Sequence, residues 1–166
     1  EKEDGKFLKK SSIMKIIAHR GASADYPENT ILAINEAFKQ RAHGVEIDVQ
    51  LSSDFKLMVI HDEDLKRTAQ YSGTVKETRS SELRKLEVGS WKSREFLGEK
   101  IPYLNEVISR LPDGKLLFIE LKSKESNFYQ YLSDVLKKTA KNRYKDIILI
   151  SFHHMQLHHL KKIFPD

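Results

Sequence analysis

The sequence predicts an α/β fold built of parallel strand–helix–strand units. Short apolar runs alternate along the chain with stretches whose apolar residues recur at helical spacing. Polar residues gather at the C-terminal ends of several different runs, which is where barrel enzymes place their chemistry. The turn after the first run reads His19-Arg20-Gly21 rather than a glycine-rich phosphate loop, which argues against a nucleotide-binding unit. An open doubly wound sheet and a (β/α) barrel both fit this pattern.

Taken in order, residues 1–13 are charged and lysine-rich and read as a tail, with Met14 a candidate natural start. Residues 16–18 form a short strand ending at His19. Ile31, Ile34, Ala37 and Phe38 mark a helix with Asn29 or Thr30 as its N-cap. Residues 45–51 are a second strand and 57–60 a third, ending at His61. The stretch 62–100 is long and polar. Leu104, Val107, Ile108 and Leu111 then line a helix face that Pro112-Asp113-Gly114 terminates. Residues 116–121 are a fourth strand, 128–140 a helix, 147–150 a fifth strand and 155–163 a helix.

Composition narrows the function classes. The 166 residues are 39% apolar and 32% charged, ordinary for one globular domain. No apolar run is long enough to span a bilayer, so no stable membrane insertion is expected. With no cysteine, disulfides, thiolate nucleophiles and cysteine metal sites are excluded, and a reducing, cytoplasmic location is expected. The formal net charge of +5 favours anionic ligands. Lysine and glutamate are interleaved, however, and no basic run carries aromatics, so nucleic acid is not an expected partner.

Glu46 and Asp48 lie two apart in an otherwise apolar strand, so alternation puts both carboxylates on one face and Val45, Ile47 and Val49 on the other. Buried side by side they repel, and a hard divalent cation is the obvious partner. An exposed edge strand or a pair of lysine salt bridges would also explain them. Glu120 repeats the pattern late in the fourth strand, with Lys122 on its face. These two are either a third ligand with an anion contact or a simple ion pair. His19 and His61 each end an apolar strand beside a charged neighbour, Arg20 and Asp62. One such histidine is usually structural, but two at equivalent positions suggest an acid/base pair. Arg20 suits a phosphate oxygen because its planar fork donates two hydrogen bonds at once. The histidines at 153, 154, 158 and 159 lack an acidic partner and read as a surface helix.

His19-Arg20-Gly21 followed by Pro27-Glu28-Asn29-Thr30, Glu46-Ile47-Asp48-Val49 and His61-Asp62 resembles the glycerophosphodiester phosphodiesterase family. Leu65, Arg67 and Thr68 continue the likeness, as do Ile101-Pro102 with Leu104 and Glu106, Glu120-Leu121-Lys122, and Ser151-Phe152. The motifs follow the family's order over almost the whole chain.

The resemblance implies a TIM-type (β/α) barrel over residues 14–166, present as about its first five strand–helix units, with a small insertion at about 62–100 over the barrel mouth. It assigns Glu46, Asp48 and Glu120 to one divalent cation, Mg²⁺ or Ca²⁺. His19 and His61 become the catalytic pair, Arg20 and Lys122 phosphate contacts, and Glu28, Asn29 and Asp62 supports. The implied substrate is a small glycerophosphodiester, cut to sn-glycerol 3-phosphate and an alcohol. Lysophospholipid cleavage is an alternative if Trp91, Phe96 and Leu97 offer an acyl surface, and a non-catalytic phosphate-ligand binder is another. Ala69 and His153 depart from the family's usual residues, and the family's last three strands are not seen in the sequence. A protein continuing beyond Asp166 is therefore expected, or else a homo-oligomer that shields the sheet edges. On either account the isolated chain should be non-monomeric, poorly soluble or weakly active.

Overall fold

The computed structural model describes residues 14–125 and 127–164, so the tail expected at 1–13 lies outside the described residues. In chain order the elements are β1 (Ile17–His19), α1 (Ile31–Lys39), β2 (Gly44–Leu51), β3 (Leu57–Val59), α2 (Lys66–Ala69), α3 (Ser80–Leu83), α4 (Leu104–Arg110), β4 (Leu116–Leu121), α5 (Phe128–Thr139), β5 (Ile147–Ile150) and α6 (His154–Ile163). Each expected strand and long helix is present within a few residues of its expected bounds. Of the two N-caps considered for α1, Thr30 is the one used: its hydroxyl accepts the Ala33 N–H at 3.1 Å.

The sheet runs β1-β2-β4-β5, all parallel. The expectation of five parallel strands is corrected at β3, which pairs antiparallel with the end of β2, Val49 opposite Val59 and Leu51 opposite Leu57. The reason is the length of the connection. Residues 52–56 turn tightly, with Ser52 N–H donating to Lys56 O and Phe55 N–H to Ser52 O, both at 3.0 Å. A parallel return would need a crossover of roughly a dozen residues. The parallel strands among the described residues therefore number four.

One buried cluster shows where the helices sit. Val45, Ile47 and Val49 of β2 and Leu117, Ile119 and Leu121 of β4 pack with Ile34 and Ala37 of α1, Leu104 and Ile108 of α4, Phe128 and Leu132 of α5, and Leu160 of α6. All four long helices cover the same face of the sheet. A doubly wound sheet would carry helices on both faces, and its strand order would reverse. Strands adjacent in sequential order with helices on one side are the units of a TIM-type (β/α) barrel. The opposite face, toward the barrel interior, carries Glu46, Asp48, Gln50 and Glu120.

Residues 62–100 build a small lobe with its own apolar centre of Leu65, Val75, Leu83 and Val88 against Met58, Ile60 and Ile101. Lys92 fastens this lobe to the loop after β1, donating to Ser23 O at 3.0 Å and Ala24 O at 2.6 Å. Asp54, in the β2–β3 turn, ties it to the sheet by accepting the Ser80 N–H at 2.7 Å at the start of α3.

Candidate active site

Parallel register brings the site together. His19 is paired with Glu46 and Asp48 with Glu120, and paired residues of parallel strands point to the same side. Glu46 and Asp48, two apart, share that side too. The result is three carboxylates on one face, each with an oxygen within 4.8 Å of the others. Asp48 is fully buried and Glu46 nearly so. Among the described residues this is the one place where three or more candidate ligand groups converge, so the four histidines of residues 153–159 gather no such point.

The site's electrostatics are under tension. Arg20 Nε stands 3.1 Å from Asp48 Oδ2. Lys122 Nζ is 2.7 Å from Glu120 Oε1 and 3.3 Å from Asp48 Oδ1, an ion pair shared between the two acids. Burial alone would lower the Lys122 pKa, yet its attraction to Glu120 and Asp48 wins and raises it. Three carboxylates thus face two cations. Burial, then the neighbouring Asp48 charge, push the Glu46 carboxyl up to about 7, although Arg20 N–H donates to Glu46 Oε2 at 3.1 Å. Asp48 Oδ1 and Glu120 Oε1 are buried with only the Lys122 ammonium to meet them, and Glu46 Oε1 is buried with no partner. Unsatisfied buried oxygens cost free energy unless something positive meets them. An all-oxygen set of this kind could bind a divalent ion.

The loop from His19 to Thr30 supplies the surroundings through unusual backbone. Gly21 has φ +79, and a Cβ there would come within 2.6 Å of the Ala33 backbone, so the turn admits only glycine. Arg20 and Asn29 each hold φ 58, a costly conformation for residues with a side chain. In return, Asn29 grips Asp48 twice, donating to Oδ2 at 2.9 Å and accepting its N–H at 3.2 Å. Glu28 accepts from Arg20 at 3.0 Å and from both terminal nitrogens of Arg67 at 2.9 and 2.7 Å. Burial would raise the Glu28 pKa, but the two arginines outweigh it and lower it.

The histidines are held differently. His19 Nε2 lies 3.8 Å from Glu46 Oε2 and is largely open to solvent. His61 Nδ1 is 2.7 Å from Asp62 Oδ1. Burial opposes ionisation of Asp62, but Arg67 and His61 more than compensate and hold its carboxyl below the usual range. An ionised Asp62 accepts a hydrogen bond from Nδ1–H, which keeps the proton on Nδ1 and leaves Nε2 free. His61 opens into a polar pocket of about 300 Å³ that Gln50, Lys122, Ser123 and Glu125 also line.

With Arg67 as the link between Asp62 and Glu28, all ten expected site residues fall in one continuous set of contacts along the inner face of β2 and β4 and in the segments that follow β1 and β3. Gln50 was missed. Buried on the acid face of β2, it donates its amide to Ile60 O at 3.2 Å and to His61 O and Asp62 O at 2.8 Å, pinning the His61 corner to the strand. The signal was available, because Gln50 continues the alternation of Glu46 and Asp48. The apolar surface that lysophospholipid cleavage would need from Trp91, Phe96 and Leu97 is offered only in part, with Trp91 and Phe96 half-buried. Trp91 lies under Arg67, Phe96 packs against Tyr26, and only Leu97 of the three is exposed.

Comparison with known proteins agrees with this arrangement. Residues 19–165 match the model of the glycerophosphoryl diester phosphodiesterase family. A glycerophosphodiester phosphodiesterase of Caldanaerobacter subterraneus is 41% identical over 153 residues, which cover 90% of this chain and 63% of the relative. The structure of an Oleispira antarctica phosphodiesterase in complex with the product sn-glycerol-3-phosphate superposes with a TM-score of 0.86 at 34% identity, covering 93% of this chain and 64% of that one. The glycerophosphodiester phosphodiesterase structure from Agrobacterium tumefaciens gives 0.83 at 33% identity, covering 92% and 64%. This chain thus spans a little under two thirds of the length of these relatives, and it belongs to the glycerophosphoryl diester phosphodiesterase family.

Proposed function

We propose that this chain carries the catalytic centre of a metal-assisted glycerophosphodiester phosphodiesterase, releasing sn-glycerol 3-phosphate and an alcohol. The observation that supports this reading most is the meeting of Glu46, Asp48 and Glu120 at one point, with His19 beside Glu46. In this reading the three carboxylates hold one Mg²⁺ or Ca²⁺. When bound, that ion supplies positive charge to the phosphoryl oxygens and aligns the diester. Arg20 and Lys122, already drawn to the cluster, turn their remaining donors to the phosphate, where negative charge grows in the transition state. One of His19 and His61 takes a proton from the attacking oxygen, and the other gives a proton to the leaving alkoxide as its P–O bond breaks. Asp62 keeps the His61 imidazole in one tautomer and stabilises its charged form. The substrate is a small diester of the kind whose product occupies the Oleispira antarctica relative. A cytoplasmic location is part of this proposal; the absence of cysteine fits a reducing compartment, and no described helix is long and apolar enough to cross a membrane.

Turnover of glycerophosphocholine by the purified protein, followed by ³¹P NMR with Mg²⁺, Ca²⁺ or EDTA, tests the reading. Release of sn-glycerol 3-phosphate that stops with EDTA is the expected result. Tight phosphate-ligand binding without turnover in either metal would favour the non-catalytic alternative and end this proposal.

A further inference from the structure

Arg67 joins the two halves of the site. It stands on α2 in the small lobe, and its guanidinium is engaged on every edge. Nε donates to Asp62 Oδ2 at 2.5 Å, and the terminal nitrogens donate to Glu28 Oε2 at 2.9 Å and Oε1 at 2.7 Å. Its face lies 5.2 Å from the Trp91 ring centroid. Neither acid stops at Arg67. The other oxygen of Asp62 holds His61 Nδ1 at 2.7 Å. Glu28 Oε1 holds Arg20 at 3.0 Å, and Arg20 in turn pairs with Asp48 at 3.1 Å. One planar fork therefore spans a chain that runs His61–Asp62–Arg67–Glu28–Arg20–Asp48, from a proposed acid/base histidine to a proposed metal ligand.

The geometry is specific to arginine. A carboxylate that orients a histidine must be kept from rotating, and Asp62 has only two oxygens. With one oxygen on Nδ1, the other needs a directed donor. Glu28 needs the same treatment, because a free carboxylate would draw Arg20 out of line. A guanidinium offers five donors in a fixed plane and serves both acids at once, whereas an ammonium is a point charge that cannot fork. The aromatic face of Trp91 removes the remaining freedom, that of the guanidinium plane.

We propose that Arg67 is a positioning residue of this site, fixing the His61 imidazole through Asp62 and the Arg20 guanidinium through Glu28. The proposal rests on the phosphodiesterase reading for its kinetic consequence but not for its structural one. Arg67 spends its contacts on Asp62, Glu28 and the Trp91 face, and so acts through other residues. Misplacing a catalytic group by about an ångström can cost on the order of 10²-fold in rate. Loss of the His61 arm lowers kcat, and loss of the Arg20 arm raises KM for the phosphodiester and lowers kcat further, because Arg20 also meets the charge that grows in the transition state.

The test uses Arg67→Met, Arg67→Lys and Asp62→Asn in the purified protein, with folding checked by circular dichroism. In Arg67→Met, kcat is expected to fall about 10–100-fold and KM to rise. Arg67→Lys should recover little of this, because charge without the fork is not enough. Asp62→Asn/Arg67→Met should lose less kcat than the product of the two single losses, since the two changes share the His61 imidazole. Independently of turnover, the hydrogen-bonded His61 Nδ1 proton, assigned by its loss in His61→Asn, should give a downfield ¹H NMR signal. That signal should broaden or vanish in Arg67→Met. Wild-type kinetics and an unchanged signal in a folded Arg67→Met variant would overturn the proposal, as would full rescue by lysine. An inactive wild type would count against the phosphodiesterase reading, and the His61 signal would still decide for or against Arg67.

Discussion

Removing the last proton from Glu46 sets a charge beside Asp48 in a place already closed to water, which is why the carboxyl holds its proton up to about pH 7. The sign of the consequence follows from linkage. Between the ordinary glutamate value of 4.5 and about 7 the folded chain binds the extra proton and the unfolded chain does not. Stability from this group is therefore present at low pH and declines as pH rises through that window. A divalent ion competes with the same proton, so Mg²⁺ or Ca²⁺ should bind about tenfold more tightly at pH 8 than at pH 6 by calorimetry. Equal affinity at the two values would mean Glu46 is not a ligand. Replacing His19 or His61 by Ala should cost about 10²–10⁴-fold in turnover with the fold retained, and near-normal rates in both would contradict the acid/base assignment. Gln50→Leu removes the amide that three carbonyls share. It should lower stability by about 1–3 kcal/mol in urea denaturation and loosen the His61 corner. Chemistry-bearing residues were legible because period-2 alternation in β2 and β4 aligns their side chains. Arg67's reach was not legible, because it depends on how residues 62–100 fold back over the loop after β1.

At the scale of elements, the β2–β3 connection carries the clearest lesson. Five residues, Ser52 to Lys56, cannot return a parallel strand, and that limit was readable from the spacing alone. The reading failed because each apolar run ending in a histidine was treated as an equivalent barrel strand. The hairpin in fact lets His61 come back along β2, antiparallel, so that two histidines from strands of opposite direction reach one site. Asp54 in this hairpin shows how the lobe is anchored: it accepts from Ser80 N, from Ser80 Oγ and from Ser52 Oγ at 2.7–2.8 Å. Partial burial opposes ionisation, but these three donors pull its pKa down to about 2. Its stabilisation is present above the ordinary value of 3.8 and fades as pH falls toward about 2. Asp54→Ala should destabilise the chain by about 1–2 kcal/mol, with the effect shrinking in acid denaturation below pH 4. An unchanged midpoint at neutral pH would show that the lobe is held without Asp54, by Lys92, Arg67 and its apolar packing against Met58, Ile60 and Ile101.

For the molecule as a whole, the barrel reading rests on where the helices lie. Helices α1, α4, α5 and α6 all cover one face, while the acids and Gln50 occupy the other. Periodicity predicted each helix but not its side of the sheet, since a buried strand looks much the same in a barrel and in a doubly wound sheet. Among the described residues, the outer parallel strands β1 and β5 each pair on one side only, and Phe152 just after β5 is 85% exposed. Light scattering on the 166-residue chain by itself should therefore give a mass above that of one chain. A clean monomer would show that these edges are protected by their own geometry. The proposed function turns on Glu46, Asp48 and Glu120, three carboxylates from two neighbouring strands that could hold one cation. The most direct measurement is anomalous diffraction from crystals soaked in Mn²⁺, which takes oxygen ligands as Mg²⁺ and Ca²⁺ do. The account predicts a single strong peak at about 2.0–2.6 Å from carboxylate oxygens of Glu46, Asp48 and Glu120. A peak elsewhere, or none between these residues with their side chains turned to different faces of the sheet, would contradict it.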